Sequence, residues 1–71
     1  MKRYNEDFEL EEFELTDELL KDIADYMDDE IREELHYKLA PCDAETFLRA
    51  YVERDPDFAE VFLKNEFSIE L

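Results

Sequence analysis

Five acidic residues at helical spacing are the strongest candidates for chemistry in this sequence. They step by four, three, four and four positions: Glu18, Asp22, Asp25, Asp29 and Glu33. On one continuous helix, residues four apart are separated by about 6 Å of rise, and the phosphates of one DNA strand advance by about 3.4 Å each. Such a column of carboxylates would imitate a nucleic-acid backbone to a basic groove. The competing interpretation is a solvated polar face, which a helix with a buried opposite face also carries.

The distribution of charge favours the first interpretation. Residues 6–34 contain 15 acidic residues against Lys21 and Arg32, a net charge of −13 within a total of −15. A field of this sign repels nucleic acid and anionic membranes and attracts basic protein surfaces. Repulsion among the crowded carboxylates is also expected to raise their pKa values. A second acidic edge is predicted near the N-terminus: Glu9, Glu11, Glu12 and Glu14.

Metal binding and catalysis find little support in the sequence. To bind zinc, His36 and Cys42 would need two more nitrogen or sulfur ligands. To act as a nucleophile pair they would need an orienting group and an oxyanion site. Neither Asp28–Glu30 nor Asp55–Asp57 has the spacing or the glycine of an EF-hand. We therefore expect no metal, no cofactor and no enzymatic activity, with Cys42 as a small buried side chain.

The acidic residues are interleaved with an apolar row that predicts helix. Its members recur every four residues and are widened into a stripe by Leu20 and Tyr26: Leu19, Ile23, Met27, Ile31, Leu35 and Leu39. Thr16 or Asp17 is a suitable N-cap for a helix that runs to about residue 27. Asp28 provides a second cap, so the stretch 16–40 is either one continuous helix or is broken at Asp28–Asp29.

Two further helices are predicted after Pro41, which ends the preceding helix. Asp43 is the expected N-cap of a helix over about 44–54. Asp55-Pro56 begins another over about 56–64, which Asn65 would end in a left-handed conformation. The aromatic residues of these helices are assigned to the core: Phe47, Tyr51, Phe58 and Phe62.

The two ends of the chain alternate apolar and polar residues, a spacing typical of strands. Residues 8–15 and 67–71 are expected to pair as a two-stranded antiparallel ribbon over the helices, with residues 1–6 frayed. Loose tails and an early helix start are the alternatives. The predicted fold is mainly α, a compact bundle of three to four short helices forming a single domain over residues 1–71. One cysteine, no signal-peptide pattern and no long apolar stretch predict a cytoplasmic protein.

Several strings of residues resemble a group of small uncharacterised proteins of Firmicutes, often found on phages and conjugative elements. The resemblance spans about residues 13–71 and rests on these strings: residues 26–36 (YMDDEIREELH), 39–42 (LAPC), 55–58 (DPDF) and 66–71 (EFSIEL), with Phe47, Leu48 and Tyr51. It brings no assigned activity and no catalytic residues. It implies a mobile-element setting, in which small acidic proteins often block host defences by imitating nucleic acid.

Two functional hypotheses follow. The first is a non-enzymatic acidic binding protein that mimics nucleic acid, docks on a basic protein surface and blocks a DNA- or RNA-handling host protein. It would bind no nucleic acid and no membrane directly. The second is an interaction or regulatory module that acts through apolar surface or as a homodimer, because ten aromatic residues are many for a chain of this length. Salt-sensitive binding by a monomer favours the first hypothesis, and a salt-insensitive dimer favours the second.

Overall fold

The computed structural model describes all 71 residues and has a mainly α architecture with a small sheet, as predicted. The strands are β1 (Lys2–Tyr4), β2 (Leu10–Glu12) and β3 (Ile69–Glu70). The helices are α1 (Asp17–Ala24), α2 (Asp29–Leu39) and α3 (Ala44–Arg54), followed by a π-helical segment (Phe58–Leu63) that continues into the short turn α4 (Lys64–Glu66). None of these helices is both long and apolar enough to cross a membrane.

Three side-chain caps define where the main helices begin. Thr16, Asp28 and Asp43 each accept a hydrogen bond from the backbone N–H three residues later. Such caps satisfy N–H groups that have no partner within the helix. The cap at Asp28 resolves the alternative that the sequence left open, because it breaks the stretch 16–40 into α1 and α2. The predicted bounds of α3 are confirmed.

Eleven buried apolar residues from α1, α2, α3, the π-helical segment, β3 and the loops form one core cluster. Among the predicted core aromatics, Phe47, Tyr51 and Phe58 are buried, and Phe62 is half-buried with its ring stacked 4.9 Å from that of Phe58. Cys42 was expected to be buried but is exposed, because it lies in the loop between α2 and α3.

The sheet differs from the predicted ribbon. β1 is its central strand and pairs antiparallel with both β2 and β3, in the order β2-β1-β3. Residues 1–6, expected to be frayed, therefore supply the strand that joins the two ends of the chain. The prediction was wrong because Lys2–Tyr4 shows no apolar periodicity, and long-range pairing specifies its position.

The last helical turn also ends differently from the prediction. Asn65 lies within α4, and Ser68 instead adopts the left-handed conformation, with φ of 57°. The Ser68 carbonyl accepts a hydrogen bond of 2.8 Å from the N–H of Tyr4. This reversal directs the chain into β3.

Candidate functional site

The break at Asp28 divides the predicted carboxylate column into two groups. Glu18, Asp22 and Asp25 belong to α1 and its C-cap, where a rotation of about 100° per residue puts them within about 60° of one another. Asp29 and Glu33 belong to α2. All five are exposed. The single straight column required a continuous helix and is therefore absent, and the five residues remain as two acidic faces on consecutive helices.

Arg32 and Tyr51 fix the corner between these two helices. The Arg32 guanidinium donates to the Ala24 carbonyl at 3.0 Å, at the end of α1, and to the Asp29 carboxylate at 2.9 Å, at the start of α2. The Tyr51 hydroxyl accepts a hydrogen bond from the backbone N–H of Asp28 at 2.8 Å. These contacts link the ends of α1 and α2 to each other and to α3, so the two acidic faces are held in a defined relative position.

The chain neutralises few of its own acidic residues. Of the 15 acidic residues in 6–34, only Glu11, Glu12, Asp29 and Glu34 form ion pairs. The other 11 are all exposed and have no basic group within 4.0 Å. We call these 11 residues the bare acidic set: Glu6, Asp7, Glu9, Glu14, Asp17, Glu18, Asp22, Asp25, Asp28, Glu30 and Glu33.

The predicted second acidic edge lies along β2, an outer strand of the sheet. Glu11 is 3.3 Å from the side chain of Arg3, and Glu12 is 3.4 Å from the amino group of Met1. Glu9 and Glu14 flank the strand and belong to the bare acidic set. Six of the nine predicted binding residues are therefore without an ion pair, and the other three, Glu11, Glu12 and Asp29, each form one. Contact of any of the nine with a partner stays a prediction.

Three aromatic residues are exposed: Phe8, Tyr26 and Tyr37. Tyr26 had been assigned to the apolar stripe of the helix, but it lies in the turn after α1 and its side chain is 64% exposed. Its ring packs 4.6 Å from that of Phe62 and stands beside the exposed Asp25. The acidic residues at 25, 28 and 29 also flank the buried Met27, so the local sequence does not distinguish the exposed tyrosine from its buried neighbour.

The largest concavity is an open groove of about 710 Å³ between α1, α2 and the start of α3. Its lining includes the predicted site residue Glu33, along with His36, Tyr37 and Cys42. No group of three or more His, Cys, Asp or Glu side chains in the structure is arranged to hold a metal ion.

The groups with shifted pKa values lie outside this groove, and each shift has a structural cause. Hydrogen bonds and charge from Lys38 and Arg54 lower the pKa of Glu34. Hydrogen bonds from the Thr46 side chain and backbone lower that of Asp43. Burial raises the pKa of Tyr51. Glu34 lies in the stretch 6–34, where repulsion among carboxylates is expected to raise pKa values. Its pKa is lowered instead, because Lys38 and Arg54 are its partners.

Comparison with models of known protein families identifies the family to which this chain belongs. Residues 17–63, about two thirds of the chain, match the family model described as anti-CRISPR protein AcrIC5. The match runs from the start of α1 to the end of the π-helical segment. No curated protein and no solved structure matches the chain. The chain belongs to the anti-CRISPR protein AcrIC5 family.

Proposed function

We propose that this protein inhibits a nucleic-acid-binding Cas protein by occupying its basic groove as a non-enzymatic mimic of nucleic acid. Family membership implies an inhibitor that binds a Cas protein or complex, and such targets bind nucleic acid. Anti-CRISPR proteins are generally inhibitors rather than enzymes. The mimicry, the basic character of the contacted surface and the roles of individual carboxylates are the parts that we propose.

The observation that carries this proposal is the bare acidic set. Eleven exposed carboxylates concentrated in residues 6–34, without basic partners of their own, repel one another and weaken the folded state. Solubility alone is served by a net charge of about 2–8 in magnitude, well below the −15 of this chain. A basic groove would relieve this repulsion and would supply the counter-charges that the chain lacks.

Glu18, Asp22 and Asp25 are the residues best suited to a first test. They share one face of α1, none of them forms an ion pair, and none of their side chains caps a helix. Their replacement by Gln or Asn removes three charges and retains the size of each side chain. Asp29 is less suitable because its pairing with Arg32 supports the α1–α2 corner.

The test compares two variants with equal charge change. One is Glu18→Gln/Asp22→Asn/Asp25→Asn, and its matched control is Glu53→Gln/Glu60→Gln/Glu66→Gln, three exposed acids outside residues 6–34. Binding to the purified CRISPR effector complex that the protein inhibits is measured by biolayer interferometry at several salt concentrations. We expect the first variant to bind at least tenfold more weakly with a shallower salt dependence, and the control to change little.

Equal, small effects of the two triple variants would contradict a role for the α1 face. Binding that does not weaken with salt would contradict electrostatic mimicry as a whole. If the protein also sediments as a salt-insensitive dimer, the alternative of an apolar interaction module is favoured instead.

A further inference from the structure

Phe8 is the most exposed large apolar residue in the N-terminal half of the chain, with 85% of its surface accessible. It lies in the loop between β1 and β2 and has a φ of 60°. A bulky side chain in the left-handed region is an outlier, because Cβ crowds the backbone there. Neither burial nor backbone preference accounts for phenylalanine at this position, which suggests a role in an interaction.

The loop holds Phe8 in a defined position. The Asn5 side-chain oxygen accepts hydrogen bonds from the N–H groups of Asp7 at 2.9 Å and Glu9 at 3.0 Å. The Asn5 carbonyl accepts a third from the N–H of Phe8 at 3.0 Å. A side chain presented by an ordered loop loses less conformational freedom on binding than one on a flexible loop.

β1, β2 and the loop between them form a hairpin. The open end of this hairpin, and not the loop that carries Phe8, contacts the helices. Met1 and Phe13 pack against the core, and the amino group of Met1 lies 3.5 Å from Glu45 of α3. Every residue from Glu6 to Leu10 is exposed. The tip therefore extends from the body and is free to enter a concave surface.

The charges around Phe8 indicate what it would enter. Glu6, Asp7 and Glu9 surround it in sequence, all exposed and all without ion pairs. An apolar pocket with an acidic rim would repel this tip, whereas a pocket with a Lys- and Arg-rich rim would attract it. Apolar anchors seated in a pocket and surrounded by polar contacts commonly dominate binding energy.

We propose that Phe8 is an anchor that inserts into an apolar pocket with a basic rim on the inhibited Cas protein. The proposal rests on the proposed function in that both contacts are made to the same target. It adds an apolar contact outside residues 17–63. Leu10, which is also exposed, extends the apolar surface beside it.

The experiment measures binding of the full chain to the purified CRISPR effector complex for Phe8→Ala, Phe8→Gly and the conservative variant Phe8→Leu. The matched control is Tyr37→Ala, because Tyr37 is an aromatic residue on α2 with 89% exposure. Thermal melts confirm that each variant folds. We expect Phe8→Ala and Phe8→Gly to bind at least tenfold more weakly with an unchanged salt slope, Phe8→Leu to retain part of the affinity, and Tyr37→Ala to bind within about twofold of the wild type.

Wild-type affinity of Phe8→Ala and Phe8→Gly would overturn the proposal. So would a wild-type dimer that Phe8→Ala converts to a monomer, since the anchor would then bind a second copy of this chain. The failures are distinguishable: the Phe8 variants report on the apolar anchor, and the Glu18/Asp22/Asp25 variant reports on mimicry. If the Phe8 variants bind more weakly and the Glu18/Asp22/Asp25 variant binds like the wild type, the result supports the anchor and contradicts the mimicry.

Discussion

The hydroxyl of Tyr51 lies 2.8 Å from the backbone nitrogen of Asp28 and accepts its hydrogen bond. The same hydroxyl donates to the Asp55 carboxylate at 3.1 Å. Tyr51 is fully buried within α3. One side chain thus connects the start of α2, and with it the corner between the two acidic faces, to the end of α3. Burial raises the pKa of this tyrosine, so it remains protonated and able to donate.

Removal of the Tyr51 hydroxyl should destabilise the protein. Tyr51→Phe leaves the Asp28 N–H without its partner and is expected to lower the free energy of unfolding by about 1–3 kcal/mol. Urea denaturation followed by circular dichroism measures the change. Tyr37→Phe is the control, since that side chain is exposed and makes no hydrogen bond. Equal stability of Tyr51→Phe and the wild type would show that water replaces the lost contact.

Removal of the steric strain at residue 8, which has a left-handed backbone conformation, should stabilise the protein. Phe8→Gly removes Cβ from a position with φ of 60° and is expected to raise the free energy of unfolding by about 1 kcal/mol. Leu10→Gly, two residues later in β2, should instead lower it by about 0.5–1 kcal/mol. Chemical denaturation of both variants tests the pair, and a loss of stability in Phe8→Gly would contradict the description of the loop.

A stabilised but weakly binding Phe8→Gly variant would separate the two roles of this residue. Damage to the fold lowers stability and affinity together, whereas loss of an anchor lowers affinity alone. The anchor proposal therefore requires affinity to fall without a loss of stability, and the left-handed conformation adds the expectation that stability rises in Phe8→Gly.

Stability should fall in acid through Glu34 and Asp43. Their ordinary pKa values are 4.5 and 3.8, and partners in the folded protein lower both. The unfolded chain thus takes up these protons at a higher pH than the folded protein does. Their stabilising effect is complete above about pH 5 and is lost as the pH drops through 4.5 and below. Between pH 7 and 5 these two groups should leave the melting temperature unchanged.

Glu34→Gln and Asp43→Asn should each weaken this acid dependence. Asn retains the N-cap at position 43 because its side-chain oxygen accepts the same hydrogen bond. Thermal melts from pH 7 to 3 compare the variants with the wild type. A melting temperature that rises on acidification from pH 7 to 5 would come from relief of repulsion among other carboxylates, because Glu34 and Asp43 contribute no change in that range.

The helices could be predicted from sequence because their signals are local. Caps at Thr16, Asp28 and Asp43 and the stop at Pro41 act within a few residues of the ends that they define. The sequence predicts either a break at Asp28 or one continuous helix, because the apolar row runs through this position without interruption. Two contacts fix the corner: the Asp28 side chain accepts a hydrogen bond from the Ile31 N–H, and the hydroxyl of Tyr51, 23 residues away in sequence, accepts one from the Asp28 N–H.

The sheet and the exposed aromatics depend on contacts that sequence spacing does not contain. β1 pairs with β3 across most of the chain, so nothing near Lys2–Tyr4 indicates the central strand. Phe8 fitted an alternating strand pattern, and only the hairpin geometry places it in a loop. The acidic residues were easier to predict as exposed, because burial of unpaired charges is too costly.

Direct competition tests the central claim of nucleic-acid mimicry. Fluorescent target DNA is bound to the purified CRISPR effector complex, and the anti-CRISPR protein is titrated in while anisotropy is recorded. We predict full displacement of the DNA, with an apparent inhibition constant that rises with DNA concentration and with salt. A stable ternary complex, in which inhibitor and DNA occupy the effector together, would contradict the account.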